Sequence, residues 1–459
     1  MILARDNQAI VAQCTPKGSG AIALIRISGD NAFDVAAQIA QLASKKNLTT
    51  TDSHTIHYGS IIDDQKNIID HVMFFLMRGP RTFTGQDTVE ITCHNNQFII
   101  ERIIAQAITH GARHAGAGEF TKRSFLNGKI DLIQAEAINE LISAATQLSL
   151  KQSLAQLDGS FSQWLVAIEK RLVHCLALSE ASFEFIDEED MAFGGQIKEM
   201  INTILENITA IKKTFNQQQQ LRQGIRIAII GSVNAGKSSL FNALLNQRRA
   251  IVTDIAGTTR DTIEAGLYVD SNYWTLVDTA GLRQTDDVIE KEGIRRSFEE
   301  AKKADVVIVV YDQSRELTQE EQAVYQDLIK TYYQKVILVA NKTDLPTKTE
   351  NPFDGYNALF VSSETKLNID LLHKEIKQKI KDLFSALDSP FLLNQRHFNV
   401  LLELENKLHT ILSMTQDSIA YELLSLHLKD ALESLTELTG KSISEKGMDA
   451  VFREFCVGK

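Results

Sequence analysis

Ile225-Arg226-Ile227-Ala228-Ile229-Ile230-Gly231-Ser232-Val233-Asn234-Ala235-Gly236-Lys237-Ser238 decides the fold of the middle of the chain. A β-rich apolar run feeds a loop of the pattern Gly-x-x-x-x-Gly-Lys-Ser, and a helical period follows it. Glycines let backbone amides close around phosphate oxygens, and the start of a helix favours their negative charge. Lys237 is placed to reach the β and γ groups of a nucleotide, and the Ser238 hydroxyl to ligate magnesium. The bland alternative, a glycine turn with an exposed lysine, leaves the strand and helix on either side unexplained.

Working outward, β-rich runs at Tyr273 to Val277, Val306 to Tyr311, Val336 to Ala340 and Leu359 to Val361 alternate with amphipathic helical segments. That alternation predicts a mostly parallel sheet covered by helices over 218–383. Asn341-Lys342-Thr343-Asp344 follows one of these runs. Its carboxylate suits the two adjacent N–H donors of guanine, which adenine cannot offer, so the pair of motifs predicts a GTP site. Lys342 would pack its stem along the base, and Ser362 and Ser363, after the next strand, would add backbone contacts.

Two further loops complete this site. Asp278-Thr279-Ala280-Gly281 supplies a carboxylate for magnesium through water and a glycine amide near the γ-phosphate. Gly257-Thr258-Thr259-Arg260-Asp261 offers hydroxyls, with Thr259 the expected magnesium ligand, in a loop able to switch with nucleotide state. Nucleotide contacts are therefore expected from Asn234, Ala235, Gly236, Lys237, Ser238 and Ser239 in the first loop. Gly257, Thr258 and Thr259 are expected to supply the rest of the phosphate side. Leu282 stands where Ras-type enzymes carry a water-orienting glutamine. Leucine cannot orient water, which leaves Arg260, Arg283, Asp286, Asp287, Glu290 or a bound cation to do so.

The remainder of the 459 residues exceeds what one core covers, roughly 250 to 300 residues. Residues 1–120 mix strands such as Ala21 to Ile27 and Val72 to Leu76 with helical stretches, the pattern of a compact α+β domain. From Ile130 the apolar positions Ile133, Ala137, Leu141, Ala144 and Leu148 step by threes and fours, one helix face. This starts the first part of a helical domain, 121–217. The polar run Gln217 to Gly224 marks a boundary. After Pro390, Leu401, Leu404, Leu408, Ile411 and then Leu424, Leu428, Ala431, Leu435 and Leu438 restore the helical period. Residues 384–459, ending in Cys456-Val457-Gly458-Lys459, thus read as the second part of the helical domain. The α/β unit becomes an insertion within it.

A net charge of -11, from 48 basic and 59 acidic side chains, opposes sequence-independent binding of nucleic acid over the whole surface. Contact with RNA must be local or supplied by a partner. The four cysteines show neither paired nor metal-ligand spacing, which fits a reducing cytosol. No run of apolar residues is long enough for a membrane span.

With these residues in place, the chain resembles the MnmE-type tRNA-modification GTPase family along nearly its whole length. Outside the nucleotide motifs, the resemblance rests on Gly118 to Leu132 (GEFTKRSFLNGKIDL), the terminal Phe455-Cys456-Val457-Gly458-Lys459, Phe83 to Glu90 and Ile25 to Gly29. It implies a multidomain α+β protein: an N-terminal tetrahydrofolate-binding and dimerisation domain, a discontinuous helical domain, and an inserted Ras-like G domain. It also implies a cytoplasmic homodimer that joins an FAD-dependent partner in a heterotetramer. That complex adds a carboxymethylaminomethyl-type group to C5 of the wobble uridine of certain tRNAs. The family's folate residues fall on Arg26, Glu90, Lys129 and Lys459, with Cys456 nearby. Its potassium ligands fall on Asn234, Thr253, Ile255 and Thr258, in a loop where the resemblance also implies nucleotide contacts from Thr253, Asp254, Ile255 and Ala256, and its water-orienting glutamate falls on Glu290. Lys237 and Thr259 complete the expected catalytic set. Potassium at the interface of two G domains would answer the missing glutamine.

A ribosome-assembly switch is the rival reading. That class would usually carry an RNA-reading module such as a GXXG loop in a small basic domain, and the sequence shows none.

Overall fold

The computed structural model describes residues 7–184, 193–213, 215, 224–246, 263–269, 272–278, 289–349, 351–353, 355–384, 390–415 and 420–458. At 184, 246, 263, 278, 289–294, 296, 383 and 384 the description covers the backbone alone. The chain forms two compact units, one of residues 1–139, 155–206 and 399–459, the other of residues 140–154 and 207–398.

In the first unit β1 (Ile10–Gln13), β2 (Ile22–Ser28), β3 (Ala40–Leu42), β4 (Thr55–Ile62), β5 (Ile68–Met77), β6 (Thr88–His94) and β7 (Arg113–His114) form one sheet, in the order β3-β4-β5-β6-β2-β1-β7. Side chains alternate between its faces. Ile25, Ile27, Phe74, Leu76, Val89 and Ile91 point into a core closed by the helices Ala32–Ile39 and Gln97–Thr109. The opposite face carries the cross-strand row Ile56, Phe75, Glu90, Arg26 and the next row Tyr58, Met73, Thr92, Leu24. Ile22, Ile56, Tyr58 and Met73 are exposed there.

The same unit contains the helices Ser160–Glu184 and Tyr421–Thr439, which lie side by side. Their seam buries Leu165, Ile168, Leu172, Leu424, Leu428, Ala431, Leu435 and Leu438. A short polar relay crosses it: Ser425 Oγ donates to Ser179 Oγ at 2.9 Å, and Ser179 Oγ to the Tyr421 carbonyl at 3.0 Å. The periodic face expected from Ile130 to Leu148 is two helices rather than one, Leu132–Ser143 and Gln147–Leu157. Thr146 and Ser149 make the break, since each accepts the other's backbone N–H on its hydroxyl, at 3.1 and 3.2 Å. Such reciprocal bonds start a new helix by satisfying its orphan donors.

In the second unit β8 (Ile225–Gly231), β9 (Ile263–Val269), β10 (Asn272–Asp278), β11 (Val306–Asp312), β12 (Val336–Asn341) and β13 (Ala358–Phe360) pair in the order β13-β12-β11-β8-β10-β9. All pairs are parallel except β9 with β10. The central strands are buried on both faces, β11 along its whole length. Helices Lys237–Asn246 and Ile369–Phe384 close one side, Ile289–Lys303 and Gln319–Thr331 the other.

Candidate functional sites

The carboxyl ends of β8, β10, β11 and β12 lie together, because register pairs Asp278 with Ile229, Val310 with Gly231 and Asp312 with Asn341. Loops leaving these ends form the crevice where an open α/β sheet binds its ligand. Gly231 must be glycine, since a Cβ there would strike the Val310 carbonyl. Asn234 and Gly236 take left-handed backbone, at φ +62° and +88°, which turns the loop before the helix begins at Lys237. Ala235 and Lys237 are buried, whereas Asn234, Ser238 and Ser239 are exposed at the mouth. Lys237 Nζ donates to the Ser232 carbonyl at 2.7 Å.

Asn341 ties the phosphate loop to the base loops. Wholly buried, it donates Nδ2 to the Ala235 carbonyl at 2.9 Å and accepts on Oδ1 from Ser363 N at 3.2 Å and Ser363 Oγ at 2.8 Å. Asp344 stays exposed, with its carboxylate oriented by Ser362 Oγ, which donates to Oδ1 at 2.5 Å. Lys342 Nζ meets Asp312 Oδ2 at 2.6 Å. The Asp312 carboxyl is held below the usual carboxylate range: burial opposes this, but hydrogen bonds from Lys342 and Ser314 prevail. Asn341, Lys342, Asp344, Ser362 and Ser363 are thus gathered as one group at the ends of β12 and β13.

Asp278 ends β10 on the same edge, described by its backbone. Glu290 falls in the first turn of its helix, likewise by backbone. Thr253, Asp254, Ile255, Ala256, Gly257, Thr258 and Thr259, and also Thr279, Ala280 and Gly281, lie outside the described residues. Among the described residues no cluster of three or more His, Cys, Asp or Glu side chains stands ready for a metal ion. The magnesium expectation rests instead on hydroxyl oxygen, and Ser238, exposed in the first helical turn, offers the hard donor that ion takes.

The second site lies on the open sheet face. Arg26 Nε donates to Glu90 Oε1 at 2.7 Å across β2 and β6, with both side chains 19% exposed. The Arg26 guanidinium lies over the rings of Phe120, at 5.3 Å, and Phe83, at 5.8 Å. Lys129 Nζ donates to the Pro80 carbonyl at 2.8 Å, and its stem lies beside Gly85, in the loop that carries Phe83. The terminal segment joins from another direction. Val457 bridges Ala117, Gly118 N donates to the Cys456 carbonyl at 3.2 Å, and Gly458 packs so closely on Gln13 and Cys14 that a Cβ would collide. Burial pushes the Cys14 thiol up; Arg26 opposes that shift and Glu90 adds to it, so the thiol shares their neighbourhood. Cys456 itself is exposed, and Lys459 lies outside the described residues. Paired charges walled by aromatic rings fit a ring system with polar edges and a carboxylate tail.

Sequence reasoning did not single out Cys14, Asp312, Arg315, Glu321 or Tyr325 as site residues. Of these, only Glu321 left a trace, in the capping-box pattern Thr318-x-x-Glu321.

A family profile described as MnmE helical domain matches residues 132–456, and one described as GTP-binding protein TrmE N-terminus matches residues 9–129. Three curated relatives bear the name tRNA modification GTPase MnmE. Those of Lysinibacillus sphaericus and Geobacillus thermodenitrificans are each 37% identical, over 467 and 464 residues. That of Parabacteroides distasonis is 36% identical over 460 residues. Each alignment covers 98% of this chain and 99% of the relative. Among solved structures, the G domain of the T. maritima FeoB iron transporter aligns over 34% of this chain and 98% of its own, at 24% identity and a TM-score of 0.27.

Proposed function

This chain belongs to the tRNA modification GTPase MnmE family, and from that premise we propose that its GTP hydrolysis serves modification of the tRNA wobble uridine. The activity is that of a GTP hydrolase in tRNA modification. The observation that carries the nucleotide reading is the Asn341 tie between phosphate loop and base loops, with Asp344 poised by Ser362. An exposed, oriented carboxylate is what two guanine N–H donors require.

The finer reading is a homodimer that works with an FAD-dependent partner to place a carboxymethylaminomethyl-type group on C5, in the cytoplasm, with a tetrahydrofolate derivative as one-carbon donor. The apolar sheet face with Ile22, Ile56, Tyr58 and Met73 exposed supports pairing of two copies. Arg26, Glu90 and Lys129, with Cys456 and Lys459 on the terminal segment, would hold the folate on that side of the fold. A bound tetrahydrofolate derivative would supply the one-carbon unit.

For hydrolysis, Ser238 and Thr259 would hold magnesium, and Asn234, Thr253, Ile255 and Thr258 potassium; both ions neutralise charge on the phosphates when bound. Lys237 orients the β and γ phosphates. Glu290 takes over the orientation of water that Leu282 cannot perform. No helix among the described residues is long and apolar enough to cross a membrane.

Steady-state GTP turnover in potassium against sodium, at equal ionic strength, tests the hydrolytic part. Faster turnover in potassium, lost in Asn234→Ala with nucleotide binding retained, is the expected result. Equal rates in both salts would remove potassium from the account.

A further inference from the structure

Every polar group of Ser232 is engaged. Its amide donates to Tyr325 Oη at 2.6 Å, its hydroxyl accepts from Arg315 at 2.9 Å, and its carbonyl accepts from Lys237 Nζ at 2.7 Å. Behind these contacts stands a rigid support. Arg315 forks onto both carboxylate oxygens of Glu321, at 2.5 and 2.9 Å. Glu321 is fixed in turn by the helix start it caps, accepting from Thr318 N at 3.0 Å. The Tyr325 ring is buried edge-on against Phe353, and its hydroxyl donates to the Val310 carbonyl at 3.4 Å. The Glu321 carboxyl is driven down to about 2, first by Arg315, so it stays charged throughout the working range.

Nothing about the phosphate-loop pattern calls for this apparatus. The pattern requires glycines and a lysine and leaves the residue after the first glycine open. Here that residue is the point at which the Gln319–Thr331 helix grips the loop. Arg315 reaches it from a segment that also serves the base side. Three residues earlier, Asp312 holds Lys342, and the Gln313 amide donates to the Asn341 carbonyl at 3.2 Å.

We propose that Arg315, Glu321 and Tyr325 are positioning residues for GTP hydrolysis, which act through Ser232 to set the direction of Lys237 toward the transferring phosphoryl group. None of the three needs to touch the nucleotide. Their effect runs through the Ser232 carbonyl, which fixes one of the three donor directions of the Lys237 ammonium and so aims the others. Charge on the phosphoryl oxygens shifts during transfer, so a misaimed lysine costs more in the transition state than in the bound ground state. Misplacement by about 1 Å is enough for losses on the order of 10²-fold. The inference rests on GTP hydrolysis, and it is independent of the potassium and folate readings.

The test is steady-state GTP turnover by the full chain with Arg315→Ala, Ser232→Ala, their double variant and Tyr325→Phe, beside GDP affinity and the melting temperature. Tyr325→Phe keeps the packed ring and removes only the hydroxyl, so it carries the test if Arg315→Ala is poorly folded. The expected result for Tyr325→Phe and for Arg315→Ala is a kcat lowered about ten- to hundredfold with KM changed by less than about threefold. The double variant should be no slower than the slower single, because both changes break one link. Wild-type kcat in Tyr325→Phe, or losses that multiply in the double variant, would overturn the proposal. So would a fall in GDP affinity that matches the whole loss of kcat/KM. A wild-type chain without GTP turnover would instead refute the hydrolytic reading itself.

Discussion

Replacing Asn341 by alanine removes three hydrogen bonds at once: the donation to Ala235 and the two acceptances from Ser363. The costs differ with solvent access. Ala235 is fully buried, so its carbonyl bears most of the penalty for an unmet acceptor, about 1–3 kcal/mol. Ser363 is half-buried, and water can take over its N–H and hydroxyl, leaving about 0.5–1 kcal/mol. The sum is a loss of about 1.5–4 kcal/mol from this unit. Nucleotide affinity should fall as well, because the bond to Ala235 holds the phosphate loop beside the base loops. If half of the cost must be met on binding, GDP binds roughly three- to thirtyfold more weakly. Urea denaturation followed by Trp274, buried in β10, reads the stability once Trp164 is replaced by phenylalanine in both chains. A shift below about 0.5 kcal/mol with unchanged GDP affinity would mean that Asn341 does not hold the two loops together.

Asp344→Asn should abolish the preference for guanine over adenine nucleotides by at least about tenfold, since the amide turns a donor toward the base; competition binding with GDP and ADP checks it. Arg26→Ala should weaken binding of a reduced folate without changing GTP turnover, which isothermal titration with a stable tetrahydrofolate analogue measures. The Glu321 carboxyl is depressed from 4.5 to about 2, so its ion pair is fully present above pH of about 4.5 and is lost as pH falls toward about 2. Glu321→Gln should therefore lessen the loss of stability across that window, read by urea midpoints at each pH; identical acid limbs would count against the pairing.

Much of the proposed nucleotide site is legible in the sequence because its parts are local. Gly231 to Ser238 and Asn341 to Asp344 each carry their chemistry within a few residues, and apolar runs mark the strands before them. The strand expected at Val306 to Tyr311 is found at Val306–Asp312, and that at Tyr273 to Val277 is found at Asn272–Asp278. β9 was hidden because Glu264 and Gly266 interrupt its apolar pattern. Only pairing with β10, where Gly266 leaves room for the Tyr273 hydroxyl, gives that run its place. The break at Thr146 was equally hidden, since the spacing of apolar residues continues across it while the hydroxyls end the helix.

Long-range pairings are what the sequence withholds. Arg26 and Glu90 are 64 residues apart and meet only through the β2–β6 register. Arg315 and Ser232 are separated by 83 positions. An arginine in a loop and a serine at a position the phosphate-loop pattern leaves open carry no local mark of their meeting. The resemblance supplied Arg26, Glu90 and Lys129; the fold adds Phe83, Phe120 and Cys14 around them.

Mass analysis of tRNA nucleosides from a strain lacking the gene decides whether GTP hydrolysis by this chain serves wobble-uridine modification. The expected result is loss of the carboxymethylaminomethyl-type wobble nucleoside, its return with the wild-type chain, and no return with Lys237→Ala. An unchanged nucleoside profile in the deletion strain, or full restoration by Lys237→Ala, would contradict it.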